Sequence, residues 1–132
     1  MTRRKFRLLV TGDHRFVWNV GHGCRECREL VRFRRFGSAG DLTVVFSSGF
    51  GDDCYASNVT GMSGTVGLRG GPWLNLQEPG VSRALLDEVI ARGWQPDANG
   101  RAQLNGWELF DAVVARREAQ LLARTAERPP DQ

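Results

Sequence analysis

Cysteine and histidine are scarce in this chain of 132 residues, which carries three of the first and two of the second. An odd, small number of cysteines argues against a disulfide scaffold. The two histidines, His14 and His22, fall at opposite ends of one strand-like segment, about 25 Å apart if it is straight, so they do not act on one bond. A single histidine with Asp13, Asp52 or Asp53 is the only acid–base pairing left. Asp52-Asp53, in a loop-like stretch after Gly49-Phe50-Gly51, reads as a pair of solvated acids. No GxGxxG opens a helix and no glycine loop is completed by Lys-Ser or Lys-Thr, which removes the usual phosphate loops. No run approaches the roughly 18 apolar residues of a membrane helix. These absences lead to the expectation that the protein is not an enzyme and has no membrane partner.

What is present suffices for one core. The hydrophobic fraction is 41%, spread evenly, as in a single domain of this size. The expected organisation is one domain over 1–123 with a flexible polar tail over 124–132, where Pro129-Pro130 and charged residues dominate. The basic start is followed by an apolar run too short for a signal peptide, so the expected location is cytoplasmic. The net charge of +3 is unevenly distributed: residues 1–36 hold ten Arg or Lys against three acids, while the rest of the chain is slightly acidic.

The first two thirds read as sheet. Phe6, Leu8 and Val10 alternate with Arg7 and Leu9; Thr11-Gly12-Asp13-His14 supplies a turn; Phe16, Trp18 and Val20 resume the alternation. Val31 and Phe33 then oppose Arg32 and Arg34 in a third strand over Glu29 to Phe36. After the turn Gly37-Ser38-Ala39-Gly40-Asp41, Leu42, Val44 and Phe46 make a fourth. These four strands form an antiparallel meander with one buried and one partly basic face. Short strands around Tyr55-Ala56-Ser57 and Thr65-Val66-Gly67-Leu68 flank a glycine-rich loop, and Trp73 to Leu76 is a last strand.

Beyond Pro79-Gly80 the period changes. Val81, Leu85, Leu86, Val89 and Ile90 recur at helical spacing, with Arg83, Asp87, Glu88 and Arg92 mainly elsewhere, and Gly93 ends the helix. Arg101 to Leu104 is a short strand or an extended connector. Asn105 caps a second helix, Glu108 completing a capping-box pattern, with Trp107, Phe110, Val114 and Leu121 on one stripe. The fold class is therefore α+β, a mostly antiparallel N-terminal sheet of about five to six strands packed against two C-terminal amphipathic helices. Phe6, Phe16, Trp18, Phe33, Phe46, Trp73, Trp107 and Phe110 are the rings available to fill that interface. The stretch from Gly71-Pro72-Trp73-Leu74 to Arg92-Gly93-Trp94-Gln95-Pro96, a strand feeding a helix that ends in Gly-Trp, is loosely similar to small bacterial proteins, and no functional residue follows from that likeness.

Two features carry chemistry. Within His22-Gly23-Cys24-Arg25-Glu26-Cys27-Arg28, the thiols of Cys24 and Cys27 have the spacing to converge on one zinc. With His22 and the distant Cys54 they make a complete four-ligand set for a structural zinc. The second half is a lone cysteine, however, and the closeness of His22 to Cys24 strains joint ligation. A redox pair helped by Arg25 and Arg28 lacks the strand–helix setting of such sites, and covalent haem is excluded because no histidine follows Cys27. Unligated thiols beside a loop are the simplest reading, with no cofactor and zinc as the one alternative.

The second feature is the arginine side of the sheet. Arg28, Arg32 and Arg34 on the third strand, with Arg7 and Arg15 on its neighbours, suit phosphates or an acidic protein. The same alternation assigns the rings to the opposite face, so a nucleic-acid reader is expected to lack stacking platforms. A protein partner is the expected ligand and nucleic acid the alternative; homo-oligomers are compatible with both.

Overall fold

The computed structural model describes residues 6–12, 14–23, 28–47, 54–56, 64–98 and 100–127. The CxxC loop with Cys24 and Cys27, the turn residue Asp13, Asp52-Asp53, the centre of the glycine-rich loop and the tail from 128 lie outside them.

The fold is α+β. Strands β1 (Arg7–Thr11), β2 (His14–Gly23), β3 (Arg28–Arg35) and β4 (Asp41–Ser47) form the expected antiparallel meander. A fifth strand, β8 (Arg101–Asn105), joins the outer edge of β4 in parallel, giving the order β1-β2-β3-β4-β8. A parallel neighbour needs a long crossover, and the chain between β4 and β8 supplies one. It contains a separate three-stranded antiparallel sheet, β5 (Cys54–Ala56), β6 (Thr65–Leu68) and β7 (Trp73–Asn75), followed by α1 (Pro79–Ala91). A single 3₁₀ turn, Gly106–Glu108, leads into α2 (Phe110–Glu127), so the helix continues past Arg124.

Strand alternation sorts the main sheet into a near face, toward the helices, and a far face. Phe16, Trp18, Val31, Phe33, Leu42, Val44 and Phe46 occupy the near face and are at most 1% exposed. The cross-strand row Ala56, Val66 and Leu74 of the small sheet, with Val81, Ala84, Leu85, Leu86 and Val89 of α1 and Phe110 and Val113 of α2, completes one continuous core. Burying rings on this scale is the main stabilising term, at about 25 cal/mol per Å² of apolar surface.

Four expectations about packing need correction. Phe6 is 60% exposed and Leu8 58%, whereas Leu9 is 9% exposed. The two-residue connection between Thr11 and His14 sets the register Leu9↔Phe16 and Arg7↔Trp18, and it is this register that puts Arg7 and Leu9 in phase with the core. Trp73 is also exposed, at 42%. Its ring stands over Gly67, its cross-strand neighbour, in space that any side chain at 67 would need, an aromatic cover for a glycine in a strand. On α2 the buried positions are Phe110 and Val113, and Leu121 is exposed. Glu88 of α1 and Ile90 exchange places: Ile90 faces outward, while Glu88 is buried in the seam between the helices.

Local signals set the helix ends. Gly93, at φ +110°, donates to Ile90 O, and Trp94 N donates to Val89 O, the paired bonds of a Schellman motif. Asn105 Oδ1 accepts from Trp107 N at 3.0 Å, capping the 3₁₀ turn that precedes α2. Trp107 Nε1 donates to Ser47 O at 2.8 Å, and the Phe46 ring occupies the position of a side chain at Gly106. Together they pin the start of α2 to the end of β4. Glu88 accepts from Arg116 Nε of α2 at 2.8 Å and from Arg92 Nε at 2.6 Å. These guanidinium bonds, Arg116 first, hold its carboxyl below the ordinary carboxylate range despite its burial.

Candidate interaction surface

The far face has no helix over it among the described elements. Its residues follow from register: Arg15, Val17 and Asn19 on β2; Arg28, Leu30, Arg32 and Arg34 on β3; Asp41, Thr43 and Val45 on β4; Arg101 and Gln103 on β8. Five arginines thus share one surface with a single acid, Asp41. Among the described residues, no ion pair or hydrogen bond engages the side chains of Arg15, Arg32, Arg34 or Arg101. Lys5 is the only lysine among the 18 basic residues of the chain. The charge is therefore almost wholly guanidinium, a flat and weakly hydrated cation suited to planar recognition of carboxylates and phosphates.

The surface is shaped as well as charged. A depression of about 510 Å³ lies between β3, β4 and β8, and Arg28, Leu30, Arg32, Thr43, Val45 and Arg101 are among the residues that line it. A smaller one of about 250 Å³ continues past Arg28 toward Ser47 and Asn105. Beside Arg32 in the register, Asn19 is 4% exposed and its Oδ1 has no hydrogen-bond partner among the described residues. Within β2, β3, β4 and β8 no aromatic side chain lies on the far face; the exposed rings at its margin are Phe36, opposite Arg15 just past β3 and 66% exposed, and Phe6, just before β1 and 60% exposed. The rings of those strands occupy the opposite face for the period-two reason already given.

Of the arginines expected on this surface, Arg15, Arg28, Arg32 and Arg34 are brought together and Arg7 is not. Arg7 lies on the near side, its guanidinium 4.8 Å from the Trp18 ring centre and its Nη1 donating to Gln77 O at 2.5 Å. Arg101 is a far-face arginine that reading the first four strands alone misses. The alternation Arg101-Ala102-Gln103-Leu104 was the available signal.

The residues expected around zinc are only partly in view. Cys54 opens β5, half-buried and outside any disulfide; Cys24 and Cys27 lie outside the described residues. Among the described residues no group of three His, Cys, Asp or Glu side chains is placed to hold a metal. His22 is instead tied through Nδ1 to Glu29 Oε2 at 2.8 Å, and Glu29, fully buried, also accepts from the backbone N–H of Gly64 through Oε1. Glu29 thereby joins β2, β3 and the entry to β6. A ligand role for His22 is confined to Nε2. Sequence reasoning passed over Glu29, although it is an acid in phase with Val31 and Phe33, which was the available signal. His14 and His22 stand at the two ends of β2, as expected.

No protein family matches the sequence, and no curated protein or solved structure shows significant similarity to it.

Proposed function

We propose that this protein is a binding module, not an enzyme, and that it docks an acidic, partly apolar protein surface on the far face of its main sheet. One observation carries the reading. Arg15, Arg32, Arg34 and Arg101, in no ion pair among the described residues, are interleaved with Val17, Leu30 and Val45 on a face that the described helices leave open. Arginine beside aliphatic side chains suits the centre of a protein interface, where Arg is enriched and Lys depleted. Guanidinium groups steer an acidic partner and fix its orientation, and the depression beside Arg32 and Arg101 offers a seat for one protruding side chain. A reader of single-stranded nucleic acid uses a run of rings as stacking platforms, and here only Phe6 and Phe36, at the margin of the surface, stand exposed, while the strands between them turn their rings to the core.

The test is affinity capture from an extract with and without nuclease treatment, with wild type and an Arg15→Glu/Arg32→Glu variant compared side by side. These two positions are chosen because neither neighbours Asp41 in the register. The reading expects a protein retained by wild type, lost from the variant, and bound again in purified form with salt-sensitive affinity. Equal retention by both forms contradicts it. So does retained material that vanishes on nuclease treatment, which would move the assignment to nucleic acid.

A further inference from the structure

Among the described residues the outer edge of the main sheet is open at β1, and the pattern of its backbone groups shows how. Arg15 O accepts from Phe36 N at 2.7 Å, so the odd-numbered residues of β2 turn their backbone groups toward β3. The even-numbered His14, Phe16 and Trp18 turn theirs toward β1, where they meet Thr11, Leu9 and Arg7. Leu8 and Val10 therefore point their N–H and C=O groups away from the sheet, and among the described residues nothing bonds them. Edges of this kind are normally guarded by a charge, a proline or a bulge. The single charge of β1, Arg7, is turned to the other face and held there by Trp18 and Gln77. The outward side chains are apolar, Leu8 at 58% and Val10 at 52% exposure, with Phe6 at 60% just before them. At the opposite edge, β8 sets Arg101, Gln103 and Asn105 on the same face.

We infer that β1 pairs antiparallel with β1 of a second copy of this chain, about a two-fold axis at Leu9, joining the two main sheets into one of ten strands. The register is self-complementary, as an isologous contact requires. Leu8 meets the partner's Val10, Val10 meets the partner's Leu8, and these are the residues whose backbone groups point outward. Arg7 meets the partner's Thr11, so no like charges oppose each other. Phe6 falls opposite the partner's Gly12, where no side chain stands in its way. On the far face, Val17, Leu8 and the partner's Val10 become one apolar row, and the symmetry repeats it. Arg15 flanks Val10 on the outer side, three strand spacings or roughly 14 Å from the row position of the partner's Arg15. That exceeds the screening length of about 8 Å at physiological salt. Because the axis is normal to the sheet, both basic faces look the same way. This pairing does not rest on what the basic face binds.

The experiment is sedimentation equilibrium of the full chain over a concentration series, with amide exchange measured at both ends of that series. A reversible dimer is expected, with the Leu8 and Val10 amides protected at high concentration and exchanging fast on dilution. Val10→Lys and, separately, Leu8→Lys leave an ammonium without a partner in the new contact. Each is expected to weaken dimerisation by about tenfold or more, with the monomer's unfolding midpoint unchanged. The inference is overturned by a monomer at every concentration, by a dimer that both lysine variants leave intact, or by Leu8 and Val10 amides that exchange equally fast in dimer and monomer.

Discussion

The two faces of the five-stranded sheet are built from the same strands, one residue out of step, and they do opposite things. Phe16, Trp18 and Phe33 on the near face are at most 1% exposed and lie within the core. Arg15, Arg32 and Arg34, their sequence neighbours, stand on the far face with no ion pair among the described residues. On one side, side chains are held by volume and contact, so a change there is felt as stability. On the other, like charges are gathered without partners, an arrangement that contributes little to folding and is the kind of surface a binding site requires. The lesson is that this molecule separates its folding determinants from its candidate binding determinants by the pleat alone.

The sharpest break between the faces comes from a ring. Phe33→Ala is expected to lower the unfolding free energy by about 3–5 kcal/mol through lost burial and the cavity left behind, read from urea unfolding curves. Next in size is Glu29→Ala, the one near-face position that is ionisable and fully buried. It removes the acceptor of both His22 and the Gly64 N–H, with an expected loss of about 2–4 kcal/mol. If the loss were negligible, Glu29 would not be what joins the two sheets. A smaller effect is expected at the helix seam, where Glu88→Gln weakens the bonds to Arg116 and Arg92 by about 1–2 kcal/mol. Its pH dependence has a definite sign. The carboxyl of Glu88 is held below its ordinary value in the folded state. Its contribution is therefore fully present above the ordinary carboxylate range and is lost as pH falls through the lowered value. The gap between wild type and Glu88→Gln should close in acid, which urea titrations at neutral and acidic pH would show.

The alternation of β2, β3 and β4 was legible because each strand shows a consistent apolar set two residues apart, and a one-residue slip would bury Arg32 and Arg34. The meander, the first helix and its Gly93 end followed directly. β1 was misjudged because Leu8, Leu9 and Val10 are apolar on both faces, so its phase is set by the tight Thr11–His14 turn and not by its own pattern. The parallel docking of β8 was out of reach because it is a long-range pairing of a segment with only Ala102 and Leu104 facing inward. Glu88 lay on the polar side of an isolated helix and is buried only because Arg116, 28 residues later, comes to meet it. For the candidate surface, four of its five arginines were visible as alternation, and the absence of rings within the strands that carry them followed from the same period. Arg7 was assigned to it through the misjudged phase of β1, and the unsatisfied edge of that strand became visible only with the hydrogen-bond pattern of β2.

The most direct test of this division of labour is the unfolding free energy of Arg15→Glu/Arg32→Glu. If the far face is a binding surface and not a support for the fold, the doubly reversed protein should unfold within about 0.5 kcal/mol of wild type, or be slightly more stable through relief of arginine repulsion. A loss of several kcal/mol, comparable with that of Phe33→Ala, would contradict the account and make those arginines part of what holds the sheet together.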